Sequence, residues 1–432
     1  MFRTPNWYDL GRMTDSNDYD AKLRQQIDQY REVENIHDLP PIFHYWAGRY
    51  LAPPLDSLFG TADPVQIFTN TFTGCAGGGR TRFLSIGAGD CSIEVDIAQR
   101  LKQAGLDCVL ECTELSPVLL QRGRDAAKAA GVADRIVFTE VDINQWEPSE
   151  TYAAVMAHHS LHHIVGLEHV FDRIHEAMAK DARFVISDII GRNGHMRWPE
   201  ALHLVQAIWK TLPDQKKYNQ QLRRLEVEFV NWDCSGEGFE GIRAQDIMPL
   251  LVERFDFVKL MAFGNLTDVF IDRAFGHNFD ADSAADRELV DRLHAVNELL
   301  IDLGVLKPTM IIATMARKHA GQGEPECYRG WEPAFCVRQT HDTWNHSSET
   351  GASLASTSAP ATESGQGPVS EGAGTNPSNL REQLALAQEV LEAARDAKRR
   401  AEEQLVELRC STSWRVTAPM RWLKTRLRSP RD

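Results

Sequence analysis

A chain of 432 residues exceeds one average domain, so two or more folded units are expected. Its 43% hydrophobic and 25% charged content suits a chain with a packed core. A net charge of −14 argues against nucleic acid as the main partner, because phosphate neutralisation requires a basic face.

The first residues are charged and polar, unlike a signal peptide, and no apolar run approaches the ~18 residues that span a bilayer. The eight cysteines show neither zinc-ligand nor disulfide-framework spacing, which suits a reducing cytoplasm. Residues 1–75 mix helix-like stretches with Pro40-Pro41 and Pro53-Pro54 and read as an irregular helical cap. From 76 to 320, short apolar or β-branched runs alternate with helical ones, the pattern of an α/β domain with a mainly parallel sheet. The expected strands are Arg82–Gly87, Cys108–Thr113, Ile136–Glu140, Ala153–Ala157, Arg183–Asp188, Phe255–Phe263 and Thr309–Arg317. Between the fifth and sixth lies an insertion, 189–250, rich in Trp, His and Arg, which supplies either a substrate lid or extra scaffold.

Residues 321–378 read as a linker, largely disordered, because from 345 onward Ser, Thr, Gly, Ala, Pro and Glu dominate. Residues 379–409 carry Leu or Ala at steps of four and three from Leu380 to Leu408, broken only by Lys398. That spacing predicts a coiled-coil helix for self-association or a partner protein; a lone solvated helix is the alternative. Residues 410–432 form a basic amphipathic tail with Trp414, Trp422 and Leu423 among six cations, suited to an anionic membrane surface or an acidic partner.

The chemistry concentrates at successive strand tips. Phe83–Cys91 runs from a strand through Gly87-Ala88-Gly89-Asp90 into a helix, where glycines let the backbone approach a ligand. By itself this is equally an ordinary turn. The second strand ends in Glu114-Leu115-Ser116-Pro117, placing a carboxylate where ribose hydroxyls are bound in dinucleotide sites. The third ends in Glu140-Val141-Asp142-Ile143, and the fourth in His158-His159-Ser160-Leu161-His162-His163.

These tips in order resemble the Rossmann-like class I S-adenosylmethionine-dependent methyltransferases. The resemblance implies a seven-stranded Rossmann-like sheet with a helical cap and lid, and S-adenosyl-L-methionine as cofactor. It assigns Gly87, Gly89 and Asp90 to the amino-acid end, Glu114 and Leu115 to ribose, and Asp142 and Ile143 to adenine. His158 and His159 would line the cofactor. Two departures stand out: Cys91 replaces a frequent third glycine, and Glu114 the commoner Asp. A nicotinamide dehydrogenase is the rival use of this fold, disfavoured by the Glu-Leu-Ser-Pro turn and the Leu-His-His segment.

A hydroxyl acceptor needs a base, and His162, His163, Asp188 and His195 are the candidates near the fourth and fifth strand tips. Helix capping or core packing accounts equally well for any one of them. Arg192 or Arg197 would hold an anionic acceptor, and Trp198, Trp209 and Trp232 either stack on sugars or pack. No carboxylate stands at helical spacing from the histidines, so no metal is expected. The string Ser411-Thr412-Ser413-Trp414-Arg415, with Thr417, Pro419 and Arg421, resembles a tail of bacterial surface-polysaccharide glycosyltransferases and methyltransferases. It implies O-methylation of a glycan hydroxyl in polysaccharide synthesis, in the cytoplasm or at the inner membrane face. The alternatives are a small-molecule acceptor, as in natural-product methylation, and a non-catalytic assembly module.

Overall fold

The computed structural model describes Tyr19, Lys22, Arg24 and residues 39–339 other than Glu237 and Gln322. The chain divides into two units, Met1–Thr343 and Trp344–Asp432, and all described residues belong to the first. The expected coiled coil, the basic tail and most of the expected linker lie outside the described residues.

The main sheet contains β1 (Thr81–Ile86), β2 (Cys108–Glu114), β3 (Ile136–Glu140), β4 (Tyr152–His158), β5 (Met178–Ile189), β6 (Phe255–Phe263), β7 (Met310–Arg317) and the two-residue edge β8 (Glu326–Cys327). Their spatial order is β8-β6-β7-β5-β4-β1-β2-β3. Neighbours run parallel except at β7, which is antiparallel to both β5 and β6. This is a Rossmann-like α/β sheet. The central strands are mostly apolar because both faces are covered: Phe83, Leu84, Ile86, Val155, Met156, Ala157, Phe184, Val185 and Ile186 are all buried.

Helices cover those faces for reasons visible in their sequences. In Leu167–Ala177 the residues Leu167, Val170, Phe171 and Ile174 recur at helical spacing and are buried, setting Phe171 against Phe184 and Phe255. Residues 39–75 are mostly helical. The helix Pro64–Cys75 starts at Asp63, whose side chain accepts from Val65 N, with Pro64 in the first turn. It stacks Phe72 on Phe83 of β1 at 4.4 Å, so this segment belongs to the main core.

Two boundaries differ from expectation by more than one residue. Strand β5 begins at Met178, not Arg183: the register passes from Tyr152↔Met178 to Ala154↔Arg183 across an irregularity of the pairing with β4. The start of the expected linker is also folded. Glu326–Cys327 pairs with β6, and Trp331 and Cys336 are buried, because the shift to small polar residues begins only near 345.

The insertion holds a turn at Asn193–His195, the helix Pro199–Thr211, a short hairpin and the start of the helix Ala244–Arg254. Trp209 is core: it is buried, its Nε1 donates to Glu226 O at 2.9 Å, and its ring meets Phe229 and Phe275. Trp198 is buried beneath the Arg338 guanidinium, whereas Trp232 is exposed. Among the described residues no helix is long and apolar enough to cross a membrane.

The topology locates the site. From β1 the chain proceeds outward to β2 and β3, while from β4 it proceeds the other way to β5. The connections diverge beyond the carboxyl ends of β1 and β4, where open α/β sheets bind ligands.

Candidate active site

The turn after β1 is built around Gly87, which has a φ of 65°. A Cβ there would stand 2.7 Å from Cβ of Ser160, whose own Oγ donates to Ile86 O at 2.6 Å. Glycine is therefore required both by the left-handed backbone and by the close approach of the segment after β4. Ala88 N donates to Thr113 O, and Gly89 N donates to Oε2 of Glu114 at 3.0 Å, tying the loop to the end of β2. Oε1 of Glu114 accepts from Ser116 N at 2.8 Å. Burial raises the carboxyl's pKa, although these backbone amides pull the other way. Asp90 accepts from Ser92 N and starts the next helix.

Cys91 also sits in the left-handed region, with φ 60°. This backbone shape, which favours glycine, is here taken by a residue with a buried thiol. It is accommodated because Gly123 opposite has no side chain: a Cβ on Gly123 would meet Cys91 Sγ and Phe138 at 3.0 Å.

Behind the loop, Ser85 Oγ donates to Oε1 of buried Glu94 at 2.7 Å. Burial pushes Glu94 up to about 7. A carboxyl whose folded pKa is raised contributes stability that is full below its unfolded value and is lost as pH rises through about 7. The loss approaches roughly 3 kcal/mol above pH 8, from ~1.4 kcal/mol per unit. Glu94→Gln is expected to flatten this dependence. Thermal melts at pH 6 and 8.5 check it: a wild-type gap that Gln leaves unchanged refutes the assignment.

At the tip of β3, Asp142 accepts from Asn144 N, Gln145 Nε2 and, at 2.7 Å, the hydroxyl of Tyr19. Asn144 in turn accepts from Val165 N and Gly166 N, joining this tip to the loop after β4. The Tyr19 ring lies 5.4 Å from Phe239. Leu115 and Ile143 are half-buried beside their acids.

The histidine segment is organised by Asp188. This buried carboxylate accepts from Ser160 N, Leu161 N, Ile189 N and, at 2.6 Å, Nδ1 of His162. His158 ends β4 edge-on to Phe68 and His159. His159 is exposed with a φ of 48°, and its amide donates to Ser187 O. From the insertion, Glu240 approaches from the opposite side. Its carboxylate lies 3.5 Å from His162 Nε2, 3.7 Å from His163 Nε2 and 2.6 Å from His195 Nε2. Burial by itself would lower the His162 pKa, but Asp188 and Glu240 outweigh it and push it up to about 10. Asp188 is held at about 2 by His162 against the pull of its burial. Glu240 is likewise held ionised by His162 and His195 despite its burial. Burial and the neighbouring His162 bring His163 down to about 3.

The structure therefore gathers His162, His163, Asp188 and His195 into one cluster. Asp188, expected among the candidate bases, has no exposure and four donors, so it orders the loop instead. Arg192 and Arg197 are engaged with backbone: Arg192 with Arg197 O, and Arg197 with Asn265 O and near Asp268. Glu240 and Tyr19 escaped the sequence reading, since neither stands in a strand-tip motif and only the insertion and the N-terminal segment bring them in.

No protein-family profile matches this sequence, and no curated protein matches it. Solved structures do. The N-methyltransferase NodS from Bradyrhizobium japonicum, bound to S-adenosylhomocysteine, is 11% identical, with 69% of this chain covering 100% of that one at a TM-score of 0.34. A methyltransferase from Geobacter sulfurreducens is 12% identical, with coverage of 65% and 99% and a TM-score of 0.32. Geranyl diphosphate C-methyltransferase from Streptomyces coelicolor is 9% identical, with coverage of 58% and 79% and a TM-score of 0.34.

Proposed function

We propose that this chain is an S-adenosylmethionine-dependent methyltransferase. The observation that carries the reading is the bond from Gly89 N to Glu114, which joins the glycine turn to a strand-tip carboxylate at the switch point. In this reading Gly87, Gly89 and Asp90 receive the amino-acid end of the cofactor. Glu114 and Leu115 receive ribose, Asp142 and Ile143 receive adenine, and His158 and His159 flank the methyl-bearing end.

Methyl transfer from a sulfonium is an in-line displacement, so alignment and exclusion of water do much of the work. The acceptor oxygen forms its bond to carbon as the carbon–sulfur bond breaks, and its proton must leave. His195 takes that proton. Its Nε2 is directed to Glu240, and its Nδ1 is buried with no hydrogen-bond partner, the arrangement of a base oriented by a carboxylate. Asp188 and His162 act as positioning residues. The products are S-adenosylhomocysteine, a methyl ether and an imidazolium.

The acceptor proposed is a sugar hydroxyl in surface-polysaccharide synthesis, a reading supported by the sequence of 410–432. The heptad-like segment 379–409 and the basic segment 410–432 would hold the enzyme to an assembly partner or to an anionic membrane face. Incubation with methyl-labelled S-adenosylmethionine and surface-glycan fragments is expected to label sugar. Label confined to another metabolite overturns the acceptor, and no turnover or cofactor binding at all overturns the enzyme.

A further inference from the structure

Among the described residues, His162, His163 and Glu240 each offer a ligand atom within 4.8 Å of the other two. Two donor atoms ~2.1 Å from one ion at a tetrahedral angle lie about 3.4 Å apart. Oε1 of Glu240 stands 3.5 Å from His162 Nε2 and Oε2 stands 3.7 Å from His163 Nε2, each close to that spacing, so one carboxylate faces both rings with one oxygen to each. We propose that these three residues form a binding site for a first-row divalent transition-metal ion, with zinc as the natural occupant.

A second observation supports the site from outside the three ligands. Asp188 accepts from His162 Nδ1 at 2.6 Å, which turns Nε2 of the same ring toward Glu240 and His163, where the ion would take the place of the Nε2 proton and release it to solvent. A carboxylate behind a ligating histidine fixes ring orientation and tautomer at metal sites, and His195 Nε2 at 2.6 Å steadies Glu240 similarly. Charge agrees as well: two carboxylates, Asp188 and Glu240, face one another across the His162 ring. Two imidazoles and one carboxylate are a donor set for zinc and iron, whereas magnesium and calcium favour oxygen. Three protein ligands leave a coordination position open, as in catalytic rather than structural sites. That position would take the acceptor oxygen, a role that rests on the methyltransferase reading; the binding of the ion does not. No metal was expected from sequence because the carboxylate comes from the far end of the insertion.

The test uses the untagged, full-length, chelator-stripped protein and Co2+ as a spectroscopic probe. One equivalent is expected to give a saturable visible d–d band that Zn2+ abolishes by displacement. Glu240→Gln and His163→Ala are each expected to weaken Co2+ binding at least tenfold, with the circular dichroism spectrum and melting temperature retained. Absence of the one-equivalent band, or the same band and affinity in both folded variants, overturns the site. A metal band in a protein that binds no S-adenosylmethionine would keep this site and reject the methyltransferase reading.

Discussion

Replacing Glu114 with alanine is expected to weaken S-adenosylhomocysteine binding about 100-fold, and Glu114→Gln about tenfold. The carboxylate uses one lone pair on each oxygen for Gly89 N and Ser116 N. Each oxygen keeps a second, matching the two vicinal hydroxyls of a ribose. Hydrogen bonds to a charged group contribute roughly 1.5–3 kcal/mol, and about 1.4 kcal/mol is a factor of ten. Glutamine keeps one acceptor and loses the charge, hence the smaller effect. Alanine also releases the anchor of the glycine turn, so part of its effect is loop ordering. Calorimetric titration checks the pair: affinity unchanged in both variants rejects Glu114 as the ribose ligand.

The second large effect is expected at His195. Glutamine there retains an N–H donor for Glu240 but removes the basic nitrogen. Turnover should fall by about 10²–10⁴, the usual contribution of general-base catalysis, while cofactor affinity stays within a factor of two. That split separates a base from a merely structural residue, since a collapsed cluster would disturb the loop at Ser160, which packs against Gly87. Glu240→Gln should lower turnover too, because His195 loses its orienting charge. Methyl transfer at the wild-type rate in His195→Gln would remove it from the mechanism.

The sheet was legible because its strands announce themselves. Phe83, Leu84 and Ile86 of β1 and Val155–Ala157 of β4 put apolar side chains on both faces, and the acids at Glu114 and Asp142 sit where strands end. The start of β5 was not, because an irregularity of pairing leaves no trace in hydrophobic alternation. The site divides in the same way. Residues following a strand were recognisable, since local sequence fixes their position at the sheet's edge. Partners supplied across long sequence separations were not. Glu240 meets His162 only after the insertion folds back, and Tyr19 reaches Asp142 from the N-terminal segment. Trp209 shows the converse limit: its ring could serve a sugar or a core, and only Phe229, Phe275 and Glu226 decide for the core.

The place of β7 bears on how this chain is made. Ile189 at the end of β5 pairs with Met310, the first residue of β7, so the flank of β5 has no neighbour until the polypeptide has grown far past it. During synthesis β1 to β5 are complete while that edge, alternating Phe184 and Ile186 with Val185, remains open to other chains. Pairing distant in sequence is slow to form, which lengthens the exposure. A chain stopped before Met310 is therefore a candidate for aggregation or chaperone capture, although the glycine turn, Glu114 and Asp142 have already been made.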